Sequence, residues 1–197
     1  MTSQGAPVLQ RSRAVPALVG RHEDFLIVSG LAGPGKDMGD ITKEAGNAFL
    51  FGGAMGGALS TAFGLALAQP ERRILCVTGD GDLLMSLGML ATIGAMQTNN
   101  IAVVCVDNAL YQETGGQASH TAMGVDLAAI AEGAGFPVVR KVEREEQIAE
   151  ASAVLRQSNG PVFVQLRVDA SPPPAYNRSW HAADAKTAFR RALLGRR

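Results

Sequence analysis

Runs of consecutive apolar residues alternate along the chain with segments whose apolar positions recur at helical spacing. The segments "DFLIVSG" (24–30), "NAFLFGG" (47–53), "RRILCVTG" (72–79), "NNIAVVCVDN" (99–108), "FPVVRKV" (136–142) and "PVFVQLRV" (161–168) read as strands. Between them, "RAVPALVG" (13–20), "GALSTAFGLALAQP" (57–70), "DLLMSLGMLATIGAMQ" (82–97), "VDLAAIAEGAG" (125–135) and "REEQIAEASAVLRQSNG" (144–160) read as helices. The 82–97 segment is apolar on more than one face and is expected to be one largely buried helix, with Met85, Met89 and Met96 in the core. Met1 to Arg11 reads as a loose start, and "GLAGPGKDMGD" (30–40) as a glycine-rich loop. "ALYQETGGQASHTAMG" (109–124) reads as a long polar loop. Strands that are apolar throughout are buried on both faces. The expectation is therefore an α/β fold: a doubly wound, mostly parallel sheet with helices on both faces, spanning 1–170. Residues 171–197 add a proline-rich linker and an amphipathic helical tail, docked on this domain or on a partner.

Composition narrows the class. The 197 residues are 47% hydrophobic and 18% charged, an ordinary composition for a chain with a buried core. Lysine plus arginine equals aspartate plus glutamate at 18 each, so charge argues for neither nucleic acid nor an anionic membrane. Cys76 and Cys105 sit inside apolar strands and read as buried hydrophobes. No leader-like segment and no membrane-length apolar run is evident, so a cytoplasmic protein is expected.

The chemistry concentrates at the ends of two strands. Asp80 follows "RILCVTG" and Asn108 follows "IAVVCVD". In a parallel sheet, ligands bind beyond the carboxyl ends of the strands, so neighbouring strands would bring both side chains to one crevice. A carboxylate and an amide oxygen suit magnesium, which takes oxygen ligands and borrows others from phosphate and water. Gly79 and Gly81 let backbone approach an anion, and a helix beginning near Asp82 would point N–H groups at a diphosphate. No GxGxxG follows a strand, and no Walker lysine stands in frame.

The span from "GDG" (79–81) to Asn108 resembles the thiamine diphosphate motif. With "GGAMGG" upstream and "TGGQ" downstream, residues 45–170 resemble the small β subunits of sulfopyruvate and phosphonopyruvate decarboxylases. The resemblance implies thiamine diphosphate and magnesium as cofactors. Asp80 and Asn108 would ligate the metal through side chains and Leu110 through its backbone carbonyl. Gly79, Gly81, Asp82 and Tyr111 would line the diphosphate pocket. Met55 would be the apolar wedge that bends the cofactor, with Gly53 and Ala54 beside the aminopyrimidine. That bend places the pyrimidine nitrogen beside the thiazolium C2 proton, so deprotonation becomes intramolecular. The thiazolium then accepts the electrons released with carbon dioxide. His120 would be a catalytic or substrate-facing side chain.

Several positions depart from the pattern. Asp107 stands where asparagine is usual and adds negative charge beside the metal site, and Ala109-Leu110 stands where glycine is common. The Ser-Arg pair of the decarboxylases is replaced by "AGPGKDMGDI", with Lys36 as the nearest cation. One domain of the usual two is present, and neither Glu44 nor Glu113 stands in the context of the activating glutamate. The resemblance thus implies a heteromer in which a pyrimidine-domain α subunit supplies that glutamate and the substrate is a small anionic 2-oxo acid. A carboligase subunit of the acetolactate synthase kind and a non-catalytic nucleotide-binding module on the same fold are the alternatives.

Overall fold

The computed structural model describes residues 8–43, 45–157, 159–176 and 181–195. The first half runs α1 (Arg11–Val19), β1 (Leu26–Ser29), α2 (Gly33–Thr42), β2 (Ala48–Leu50), α3 (Gly57–Ala68), β3 (Ile74–Gly79), α4 (Asp80–Leu84) and α5 (Gly88–Met96). The second half runs β4 (Ile101–Asp107), β5 (Leu110–Tyr111), β6 (Gln117–Ala118), α6 (Leu127–Gly133), β7 (Val138–Val142), α7 (Ile148–Gln157), β8 (Val162–Arg167) and α8 (Ala182–Leu193).

Six strands form one parallel sheet in the order β2-β1-β3-β4-β8-β7. Alternate residues of each central strand enter different cores. Leu75 and Val77 of β3, with Ala102, Val104 and Val106 of β4, pack under α1, α2 and α7. Ile74 and Cys76, with Ile101, Val103 and Cys105, pack under α3, α5 and α6. Burial on both faces is why β3 and β4 are apolar without interruption. This is the doubly wound α/β arrangement that the strand pattern implies.

The topology places a crevice. From β1 the chain passes to β2 on one side and then to β3 on the other. Connections leaving the carboxyl ends of β1 and β3 therefore diverge, which creates the switch point where such sheets bind ligands. Gly79 pairs with Val106, so the tips of β3 and β4 are level.

Four expectations are corrected. Segment 30–40 is not a loop: Gly33–Thr42 is helical, with Pro34 in its first turn, where a missing N–H costs nothing. Two of its glycines are contact surfaces. A Cβ on Gly33 would strike the Arg11 guanidinium, and one on Gly39 would strike the Tyr176 ring. Segment 82–97 is two helices, separated by a turn at Met85–Leu87 with i→i+3 bonds from the Met85 and Ser86 amides. Met85 and Met96 are 65% and 58% exposed, so they are not core residues. Of the expected loose start, residues 1–7 lie outside the described residues, but Leu9, which bridges Val168, and the buried Arg11 are tied down. The 109–124 loop carries the β5–β6 hairpin and two short 3-10 turns. Helix α8 docks on this domain, with Phe189 5.8 Å from the Phe49 ring. Cys76 and Cys105 are buried free thiols, and burial pushes both up in pKa. No helix among the described residues is long and apolar enough to cross a membrane.

Candidate functional site

A cavity of about 110 Å³ opens at the switch point. Leu31 to Pro34 line it from the β1 exit, Gly79 to Asp82 from the β3 exit, and Asn108 with Leu110 to Thr114 from the β4 exit. The expected pair, Asp80 and Asn108, thus share one crevice. Met55, 41% exposed, and Tyr111 also line it.

Asp80 opens α4 and is 2% exposed. The Ser119 hydroxyl donates to its Oδ2, and the Thr121 hydroxyl lies 3.4 Å from the same oxygen. Burial pushes this carboxyl up to about 6, against the Ser119 hydrogen bond, which lowers it, and with the Asp107 charge, which raises it. The helix begins at Asp80 rather than Asp82, so the Gly81 and Asp82 amides fall in its first turn, where N–H groups lack helical acceptors.

Asp82 braces the site. Its Oδ1 accepts from the Gly56 amide at 2.5 Å and its Oδ2 from the Thr78 hydroxyl at 2.7 Å. The segment carrying Met55 is thereby fastened to the β3 turn. Gly53, at φ +83°, and Ala54 are exposed and lie outside the cavity lining.

Asp107 is fully buried. Arg167 Nη1 reaches its Oδ2 at 2.7 Å and Gln165 Nε2 reaches the same oxygen at 2.6 Å. Thr121 Oγ1 and the Ala109 amide donate to its Oδ1 at 2.8 and 2.9 Å. Its charge raises Asp80, as expected of an extra carboxylate, yet it is itself matched by Arg167. Asp107 therefore organises the loop. Asn108 makes an Asx turn, its Oδ1 accepting from the Leu110 amide at 3.1 Å while its Nδ2 donates to Gln112 Oε1 at 3.1 Å. Ala109 sits at φ +62°, the left-handed region that favours glycine, at the position where glycine is common in the resembling proteins.

Tyr111 packs over Gly81, where a Cβ would strike its ring. Its hydroxyl is 3.3 Å from His120 Nδ1. His120 is exposed and outside the cavity lining, so it reaches the site through Tyr111. Lys36 points toward Glu113, 3.9 Å away, and Glu113 lines the cavity. Glu44 lies outside the described residues.

Residues 39–166 match the model of the thiamine pyrophosphate enzyme, C-terminal TPP binding domain. The chain belongs to this family. Sulfopyruvate decarboxylase subunit beta of Methanothermobacter thermautotrophicus is 36% identical over 161 residues, 82% of this chain and 83% of that protein. Phosphonopyruvate decarboxylase of Streptomyces viridochromogenes is 37% identical over 120 residues, 61% of this chain and 30% of that protein. Benzoylformate decarboxylase from Polynucleobacter necessarius, a solved structure, superposes with a TM-score of 0.71 at 20% identity, covering 88% of this chain and 36% of that one. The chain thus spans about a third of that structure, and the superposition carries the fold alone.

The TPP-binding domain offers oxygen donors rather than a side-chain metal cage. Among the described residues, no group of three or more His, Cys, Asp or Glu side chains converges to hold a metal. The Asp80 carboxylate, the Asn108 amide oxygen and the Leu110 carbonyl are a donor set that fits magnesium completed by phosphate and water. Sequence reasoning missed Arg11, Leu31, Ala32 and Pro34 of the cavity wall and the hydroxyls that hold Asp80. For Ser119 and Thr121 a signal existed, since "ASHT" places hydroxyls two apart in the loop after the metal asparagine. For Arg11 there was none.

Proposed function

We propose that this chain is the diphosphate-binding subunit of a thiamine diphosphate-dependent decarboxylase acting on a small anionic 2-oxo acid. The observation that carries the reading is the shared crevice of Asp80 and Asn108 at level strand tips, inside the TPP-binding domain. Asp80, Asn108 and the Leu110 carbonyl hold magnesium. The Gly81 and Asp82 amides donate to the diphosphate, as N–H groups at a helix start do. Met55, fixed through the Gly56 to Asp82 bond, props the coenzyme from its apolar side. Bound there, the coenzyme supplies a thiazolium ring that accepts the electrons left when carbon dioxide departs. Tyr111 covers Gly81 at the diphosphate end, and its hydroxyl, 3.3 Å from His120 Nδ1, links His120 to the coenzyme pocket from the substrate side.

The site is half of a shared one. A cavity of 110 Å³ is below the roughly 300 Å³ of pockets that enclose an organic ligand. It suits a diphosphate with its cation and leaves the rest of the coenzyme to a pyrimidine-domain α subunit, which supplies the activating glutamate. The name of the Methanothermobacter relative, a beta subunit, supports a partner of this kind. So does the exposed apolar rim: Met55 is 41% exposed, and Met85, which abuts Gly56, is 65% exposed.

The test is reconstitution. The full chain with its partner, thiamine diphosphate and magnesium is expected to release carbon dioxide from a small anionic 2-oxo acid, and Asp80→Ala to abolish release. Substantial turnover by this chain alone overturns the shared site. Formation of a carbon–carbon bond with an added aldehyde, without free aldehyde product, overturns the decarboxylase outcome in favour of a carboligase.

A further inference from the structure

We infer that Arg11, on the N-terminal helix, is an anion-binding residue of the cavity and contacts the diphosphate; this rests on the coenzyme reading above. Arg11 lines the cavity although it is 2% exposed. Asp37 takes two of its nitrogens, Nε at 3.2 Å and Nη2 at 2.6 Å. No described residue accepts from Nη1, which leaves a donor of a buried, permanently charged group available to a ligand.

The side chain is held from three directions. Asp37, one turn along α2, fixes the guanidinium from the side. Gly33 clears space for it, since a Cβ there would strike Nη2 and the guanidinium carbon. The backbone is pinned by its own amide to Asp169 Oδ1 at 3.3 Å and by the Leu9 to Val168 bridge at the end of β8. An ion pair serving only the core gains little from being built this way, because desolvation offsets most of its attraction. A guanidinium oriented at the wall of a ligand cavity gains a charge-assisted hydrogen bond when an oxyanion arrives.

Charge explains why this cation is required. Among the described residues lining the cavity, Arg11 is the one cation, and it stands against Asp80, Asp82 and Glu113. A bare oxyanion is repelled by such a wall. A magnesium-bound diphosphate would bring its own cation to Asp80, and Arg11 would meet oxygen charge that the metal leaves unmatched. Lys36 lies outside the lining, beside Glu113, so it does not duplicate this role.

The test titrates inorganic pyrophosphate into the full chain by calorimetry, with and without magnesium. The wild type is expected to bind only with magnesium. Arg11→Ala strips Asp37 of its partner and risks unfolding, so the deciding variant is R11Q with D37N, a neutral pair that can still hydrogen-bond. With melting temperature preserved, it is expected to bind magnesium pyrophosphate at least tenfold more weakly. D37N alone keeps the Arg11 charge and is expected to bind within threefold of wild type or more tightly. Affinity of the neutral pair within threefold of wild type overturns the inference and leaves the coenzyme reading intact. An unchanged pyrophosphate affinity with a raised KM for the 2-oxo acid in the reconstituted enzyme also overturns it, assigning Arg11 to substrate. A wild-type chain that binds neither pyrophosphate nor thiamine diphosphate with magnesium, alone or with its partner, overturns both readings.

Discussion

The hydroxyl of Thr121 donates to the buried carboxylate of Asp107 at 2.8 Å, and this bond ties the loop after β4 back to the tip of the strand it leaves. The same hydroxyl is 2.9 Å from Ser119 Oγ, which holds Asp80. Two buried acids from neighbouring strands are thus joined through two hydroxyls. Thr121→Val keeps the shape and removes the donor. Asp107 Oδ1 retains the Ala109 amide, so a loss of about 1–2 kcal/mol in urea unfolding is expected. Thr121→Ser is expected to recover most of it.

Arg167 carries a larger share. Asp107 is fully buried, and Arg167 is its ion-pair partner. Removing one member of a buried pair strands the other charge, at a cost of about 3–5 kcal/mol. Arg167 remains 24% exposed, which places Arg167→Leu toward the lower end of that range. Adding Asp107→Asn to this variant neutralises the stranded charge and is expected to restore at least half of the loss. Denaturant unfolding of both single variants and the double variant gives the coupling directly. A double variant as unstable as the sum of the singles would show the two residues to be independent.

The two site strands were readable because burial on both faces leaves a run of apolar residues with nothing to interrupt it. Asp80 and Asn108 were readable with them, since the polar residues that follow such runs within two or three positions fall at the carboxyl edge of the sheet. Helix α2 was not, because glycine serves there as contact surface: Gly33 meets Arg11 and Gly39 meets Tyr176. Composition signals a loop in both cases, and only the neighbours distinguish them. Arg11 was illegible for a related reason. Its partner Asp37 is 26 residues away, and its place at the cavity depends on a bridge between Leu9 and Val168. Met85 and Met96 show the limit of periodicity, which reports that a face is apolar and not what covers it.

Asp82 fastens the Met55 segment, and its replacement separates charge from geometry. Asp82→Ala leaves the Gly56 amide and the Thr78 hydroxyl without their acceptor, for a loss of about 2–3 kcal/mol. Asp82→Asn can still accept from Gly56 through its amide oxygen and meet Thr78 through its nitrogen, so its loss is expected to be smaller. Hydrogen exchange at the Gly56 amide is the local readout. It is expected to accelerate strongly in the alanine variant and little in the asparagine one. Equal protection in wild type and Asp82→Ala would show that the loop is held by something else.

Asp126 gives a pH dependence whose sign follows from its contacts. It caps α6, its Oδ1 accepting from the Ala128 and Ala129 amides at 3.0 and 3.1 Å, with Lys141 Nζ 3.2 Å from Oδ2. Partial burial raises its pKa, but the Ala129 amide, Lys141 and the Ala128 amide outweigh this and hold the carboxyl below its usual value. A depressed folded-state pKa means that the unfolded chain binds more protons at moderately acid pH. The stabilisation is therefore complete above the unfolded value near 3.9 and is lost as pH falls through the lower folded value. Asp126→Ala is expected to cost about 1 kcal/mol at pH 7. The Lys141 side chain is 40% exposed, so the ion pair adds only a few tenths of that amount. The gap in stability between wild type and Asp126→Ala is expected to narrow below pH 4, while Asp126→Asn, which caps without titrating, keeps its advantage over alanine. A gap that widened on acidification would mean that the carboxyl is held protonated rather than ionised.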